Sequence, residues 1–82
     1  MSTDKQLIQA LVKHFLAAKD AGSMQHLLEG ILTPAELHAI GQRLQIAQLL
    51  KAGVSQREIA KRLGVGIATV TRGSREIKAG KL

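Results

Sequence analysis

The sequence predicts an all-α fold, a small helical domain built around a helix-turn-helix. Three observations predict it. Apolar residues recur at helical spacing along most of the 82-residue chain, and no segment alternates as a strand would. "TPAE" at Thr33–Glu36 and "SQRE" at Ser55–Glu58 each place Glu three residues after Thr or Ser, the sign of a capped helix start. Gly64, in "LGVG", divides two short amphipathic stretches in the manner of a tight turn between steeply crossing helices.

From Ser2 or Thr3 to about Asp20, the residues Leu7, Ile8, Leu11, Val12, Phe15 and Leu16 occupy about half of a helical wheel. That arc is wider than a surface helix needs, which predicts burial on two sides. Ala21 and Gly22 are expected to stop this helix, and Ser23 to cap a short second one through Leu28 that ends near Gly30. Thr33 as N-cap, Pro34 at the first helical position and Glu36 at the capping-box position open a third helix that reaches about Lys51. It carries Leu37, Ile40, Leu44 and Ala47 on one face and Ile46, Leu49 and Leu50 elsewhere, the pattern of a central helix with several neighbours. Gly53 ends it. Ser55 caps a fourth helix to Leu63, and a fifth runs from about Gly66 to Lys78, leaving "KAGKL" as a frayed end. At the hinge, Ala60 is the small contact, Gly64 the turn residue, and Ile59, Leu63, Val65 and Val70 the apolar lock.

Residues 1–82 read as one domain, with N-terminal helices over 1–32, the central helix over 33–54 and the hinged helix pair over 55–78. A chain of this length buries only roughly 60 to 65% of the surface that its unfolded form exposes. With no cysteine for disulfides or thiolate metal sites, a second subunit is the expected source of further core. No apolar run is long enough for a membrane span and no leader pattern opens the chain, so the expectation is a soluble cytoplasmic protein without a membrane partner.

The net charge of +6 is concentrated beyond residue 50, where Lys51, Arg57, Lys61, Arg62, Arg72, Arg75, Lys78 and Lys81 face only Glu58 and Glu76. A single-sign field on one part of a small domain fits a polyanion partner, or a solvated face that aids solubility. The second hinge helix separates these readings. With Val70 inward, Ile67 and Ile77 fall on the inner side, and Ala68, Thr69, Thr71, Arg72 and Arg75 on the outer arc. Small residues at the start of a helix let its first turn approach base edges, where Ala or Thr meets a thymine methyl and Thr hydrogen-bonds. Arg57 on the preceding helix and the free amides near Gly66 suit phosphates. Packing against another helix explains the small residues but not Arg72 and Arg75 on the same face.

These residues also carry a resemblance. "ILTPAELHAIGQR" followed by "SQREIAKRLGVGIATVTRGS" is similar to the tryptophan repressor family over Ile31 to Lys78. The resemblance implies an intertwined homodimer that binds L-tryptophan as corepressor and then a palindromic operator in double-stranded DNA. It places Arg43 and Arg72 on the two sides of the indole, Arg72 and Thr33 at the ligand carboxylate, and the backbone of the partner subunit's Leu32 at the amino group. Gly73 would let the ligand approach closely. Glu76 stands where the family has a serine near that amino group, and a carboxylate there either pairs with an ammonium or upsets the pocket. Gln56, Arg57, Ile67, Ala68, Thr69 and Thr71 are implied at the DNA, with Lys61, Arg72 and Arg75 adding charge.

Enzymatic chemistry is not expected. His14, His26 and His38 lie twelve residues apart with no acidic partner at metal-ligand spacing, and no serine has a matched base. One Phe and no Tyr or Trp leave little for stacking on single strands. Two alternatives stay open: a repressor-like protein that answers another ligand or none, and a helical module whose basic face docks on an acidic protein.

Overall fold

The computed structural model describes residues 3–82, which form helices α1 Asp4–Leu16, α2 Ala21–Ile31, α3 Pro34–Lys51, α4 Gln56–Leu63 and α5 Ile67–Lys78. No strand occurs among the described residues, in keeping with the all-α expectation. Ser2, one of the two starts expected for α1, lies outside them. Thr3 is the N-cap: its hydroxyl accepts the Gln6 N–H at 3.2 Å, and Gln6 Oε1 accepts the Thr3 N–H at 2.8 Å.

Two expected boundaries are corrected. α1 closes at Leu16 rather than near Asp20, because Asp20 begins the next helix: its carboxylate accepts the Ser23 N–H at 2.7 Å. Ser23 is therefore inside the first turn of α2 and not its cap. The same helix passes through Gly30 to Ile31, since that glycine keeps a negative φ and so supplies no left-handed stop. The expected start of α3 stands. Thr33 Oγ1 accepts the Glu36 N–H at 3.2 Å and Glu36 Oε1 accepts the Thr33 N–H at 2.8 Å.

Both capping carboxylates are held below their ordinary values of 3.8 for Asp20 and 4.5 for Glu36, by the backbone N–H of Ser23 and of Thr33 respectively. The unfolded chain has the higher pKa and takes up protons first, so these caps stabilise the fold fully above about pH 4.5 and lose that effect as pH falls through the folded values. The urea midpoint is expected to decline below that pH, and Asp20→Asn with Glu36→Gln to flatten the decline. An unchanged acid limb in the double variant would contradict this.

At α4 only half of the expected capping box forms. Ser55 Oγ accepts the Glu58 N–H at 3.2 Å, but the Glu58 carboxylate turns forward to Arg62 Nε at 3.0 Å. The chain end differs too. "KAGKL" is closed and not frayed: Gly80 takes φ 77, and the N–H of Lys81 reaches the Glu76 carbonyl at 2.9 Å. This is the reversal that a glycine just past a helix permits.

Two units divide the chain, one running to Leu37 and the other covering His38–Leu82. In the first, the broad apolar face of α1 lies open in the single chain, from Leu11 at 42% exposed to Leu16 at 77%. Expected burial on two sides is thus not supplied within this unit. In the second, Ile46, Ile59 and Val70 are at most 1% exposed and form the core, with Leu49, Leu50, Val54, Ala60, Leu63 and Val65 packed on it. On the α3 face that carries Leu37, Ile40, Leu44 and Ala47, Ile40 and Leu44 are exposed and only Ala47 is buried, while Ile46, expected elsewhere around the wheel, is buried beside it. Periodicity showed apolar residues around α3 but not which of its sides α4 and α5 would meet.

Candidate nucleic-acid interface and ligand pocket

α4 and α5 form the crossing pair that the hinge residues predict. Gly64 adopts φ 65 and ψ 33, a left-handed conformation that costs an L side chain about 1 to 2 kcal/mol. The Val65 N–H then closes on the Ala60 carbonyl at 3.1 Å, and Val65 drops onto the core beside Ala60 and Leu63. Ile59 from α4 and Val70 from α5 are wholly buried, so the crossing is fixed from both sides.

Gly66 starts α5 without a side-chain cap, which leaves first-turn N–H groups free at the positive end of the helix dipole. Ala68, Thr69, Arg72 and Arg75 are exposed along α5, as are Arg57 and Lys61 on α4. Ile67 is 53% exposed and not inward as its wheel position suggested. It is the first residue of α5, and packing on the core begins one turn later, at Val70. Thr71 also departs from its expected outer position: it is half-buried, and the single hydrogen of its hydroxyl is shared between Gln56 Oε1 at 2.8 Å, the nearer acceptor, and the Ile67 carbonyl at 3.0 Å. Arg62 is engaged by Glu58, so its charge is partly neutralised.

A cavity of about 400 Å³ lies in the second unit, lined by Arg43, Ile46, Thr69, Arg72, Gly73 and Glu76, with Lys81 and Leu82 beside them. Its size suits a small metabolite. Guanidinium groups and a carboxylate facing one space suit a ligand that carries both charges, and guanidinium planes stack on aromatic faces. Arg43, Arg72, Gly73 and Glu76 are thereby brought together. Leu32 and Thr33 are not among its lining residues, and the Thr33 hydroxyl caps α3 while keeping its own hydrogen to donate.

Gly73 has a second reason to be glycine. A Cβ there would come 3.0 Å from Ile46 Cγ2 and 3.7 Å from Leu50 Cδ1, so the bare backbone lets α5 rest on α3. Sequence reasoning missed Ile46, Thr69, Lys81 and Leu82 as pocket residues, having placed Thr69 at the DNA alone. Ile46 was legible only as a core candidate. Lys81 reaches the pocket because the Gly80 reversal turns the chain back, and the glycine in "AGK" was the available signal.

A helix-turn-helix with an exposed basic face defines a DNA-binding protein of the all-α class. The chain matches the family model described as Trp repressor protein over residues 6–81. It is 49% identical over 79 residues to a Trp operon repressor homolog of Vibrio vulnificus, covering 93% of this chain and 72% of that one. A Trp operon repressor homolog of Pasteurella multocida is 43% identical over 79 residues, covering 95% and 78%. That of Vibrio parahaemolyticus is 42% identical over 72 residues, covering 87% and 70%. The chain belongs to the Trp repressor family, and is a DNA-binding transcriptional repressor of that type, not an enzyme. Among the described residues no helix is long and apolar enough to cross a membrane.

Proposed function

We propose that this repressor takes L-tryptophan as corepressor and acts in the cytoplasm as an intertwined homodimer on a palindromic operator. Residues 1–32 join the subunits, 33–54 form the central helix, and 55–78 read the DNA. The observation that carries this reading is the shared wall: Thr69 and Arg72 line the ligand cavity and also stand on the exposed face of α5. A ligand in that cavity bears directly on the helix that enters the groove. It shifts operator affinity by favouring one position of that helix over another.

Arg43 and Arg72 flank the indole, and Arg72 and Thr33 meet its carboxylate. Gly73 admits the ligand to the backbone, and the partner subunit's Leu32 and Glu76 of this chain hold its ammonium. Gln56, Arg57, Lys61, Ile67, Ala68, Thr69, Arg72 and Arg75 face the duplex, with Thr71 behind Gln56. On a two-fold site the two reading helices lie about 34 Å apart, one duplex turn. The open apolar face of α1 supports the dimer, since a domain of this size is marginal alone and a second chain adds core.

The test is a gel shift on a duplex that the protein selects from a random-sequence pool. L-tryptophan is expected to tighten binding by about 5- to 150-fold, the usual range of coupling between two sites. Indole-3-propionate, which lacks the ammonium, should bind more weakly by calorimetry, and Glu76→Gln should narrow that difference. Equal retention with and without L-tryptophan would remove the corepressor and leave the repressor.

A further inference from the structure

We propose that Thr71 is a positioning residue for DNA binding: its hydroxyl fixes the Gln56 side-chain amide so that the NH2 group faces outward and donates to a phosphate oxygen of the duplex. The inference rests on Gln56 lying at the DNA, as proposed above, and goes beyond it by giving Thr71 a different part from direct contact.

Gln56 is the first residue of α4 and Thr71 lies in the second turn of α5, fifteen positions along the chain, yet Thr71 Oγ1 donates to Gln56 Oε1 at 2.8 Å. Both residues are half-buried. The bond occupies one lone pair of the amide oxygen and turns that end toward Thr71, leaving the nitrogen end, with its two hydrogens, without a protein acceptor among the described residues. No side-chain nitrogen or oxygen there is both buried and unpartnered, so that nitrogen reaches solvent. An amide free to rotate presents acceptor and donor alternately, and the acceptor repels phosphate. Pinning the oxygen removes the wrong half of that choice.

Two features make phosphate the recipient rather than a base edge. Gln56 opens its helix, where first-turn N–H groups and the dipole already favour an anion. Arg57, the next residue, is exposed and cationic. The clamp also removes Thr71 from base reading: its oxygen is half-buried between Gln56 and the Ile67 carbonyl, so Ala68 and Thr69 are left as the small groups at the groove.

The experiment is a double-mutant cycle on dimeric full-length protein, using the selected duplex and a scrambled duplex of equal length. Urea unfolding of each variant runs alongside. Thr71→Val, which keeps the shape and removes the hydroxyl, is expected to weaken binding roughly three- to tenfold, the worth of one ordinary hydrogen bond. Thr71→Ser should restore it to within about twofold. In a Gln56→Ala background Thr71→Val should cost nothing more. Gln56→Glu, which still accepts from Thr71 but offers a charge to the phosphate, should bind worse than Gln56→Ala. Losses should be equal on both duplexes.

Additive losses in the cycle, or a Thr71→Val effect that Ser does not rescue, would overturn the clamp. A loss confined to the selected duplex would overturn the phosphate assignment. If Gln56→Ala binds as wild type, the placement of Gln56 at the DNA fails and the clamp with it. If Gln56→Ala weakens binding and Thr71→Val does not, the clamp alone fails.

Discussion

Ile59→Ala is expected to destabilise the His38–Leu82 unit by about 2 to 5 kcal/mol, read as a fall in the urea midpoint with little change in slope. Ile59 is wholly buried in a cluster whose other members are Ile46 and Val70, so its truncation leaves a cavity at the centre of that cluster. Small domains are stable by about 5 to 15 kcal/mol in total, so this one truncation removes a large share. Because Ile59 also sets the α4 and α5 crossing, operator binding should fall with the fold as temperature rises. Ile59→Val, which removes one methylene, should cost only about 0.5 to 1.5 kcal/mol. An Ala variant within 0.5 kcal/mol of wild type, a limit set by the usual size of surface substitutions, would show that the cluster is not what holds the unit together.

The lock was legible because every signal for it is local. Ser55, Gly64 and the apolar residues Ile59, Leu63, Val65 and Val70 lie within sixteen positions, and helical spacing alone assigns their faces. Thr33 and Glu36 were legible for the same reason. The boundary of α2 was not, because Asp20 and Ser23 are both good caps three residues apart, and the choice turns on which backbone N–H groups lie within reach of which oxygen. α3 was harder still: apolar residues surround it, so the pattern carries no direction, and only packing reveals that Ile46 and not Leu44 is inward.

At the site, exposure was legible where charge or size decided it, as for Arg57, Lys61, Ala68, Thr69, Arg72 and Arg75. Thr71 was not, since its wheel position is outward and its burial comes from Gln56, a residue of another helix. Gly73 was singled out for a ligand's approach, yet the atom nearest its missing Cβ belongs to Ile46. One-dimensional spacing holds no record of such contacts between helices. The resemblance to a family brought Arg43, Arg72, Gly73 and Glu76 together before the structure showed their common cavity, something that periodicity and charge alone would not have done.

Arg72→Ala should be the most damaging exposed substitution in the chain. Its guanidinium lines the cavity and stands on the exposed face of α5, so under the proposed function one side chain serves both partners. Each loses a charge-assisted hydrogen bond worth about 1.5 to 3 kcal/mol, or about 10- to 150-fold in affinity. Calorimetry with L-tryptophan and a gel shift on the selected duplex are expected to show both losses, with urea stability near wild type because the side chain is exposed. The slope of log affinity against log salt should flatten by about 0.9 if the guanidinium meets one phosphate. Arg72→Lys separates the roles: the charge is kept, so DNA binding and the salt slope should largely recover, while the planar fork that stacks on an indole and grips a carboxylate is gone, so ligand affinity should not. Arg62→Ala is the control, since Arg62 is paired with Glu58 and an exposed pair contributes little. Equal recovery of both activities by lysine would show that Arg72 acts only as a point charge, and would remove it from the walls of a tryptophan site.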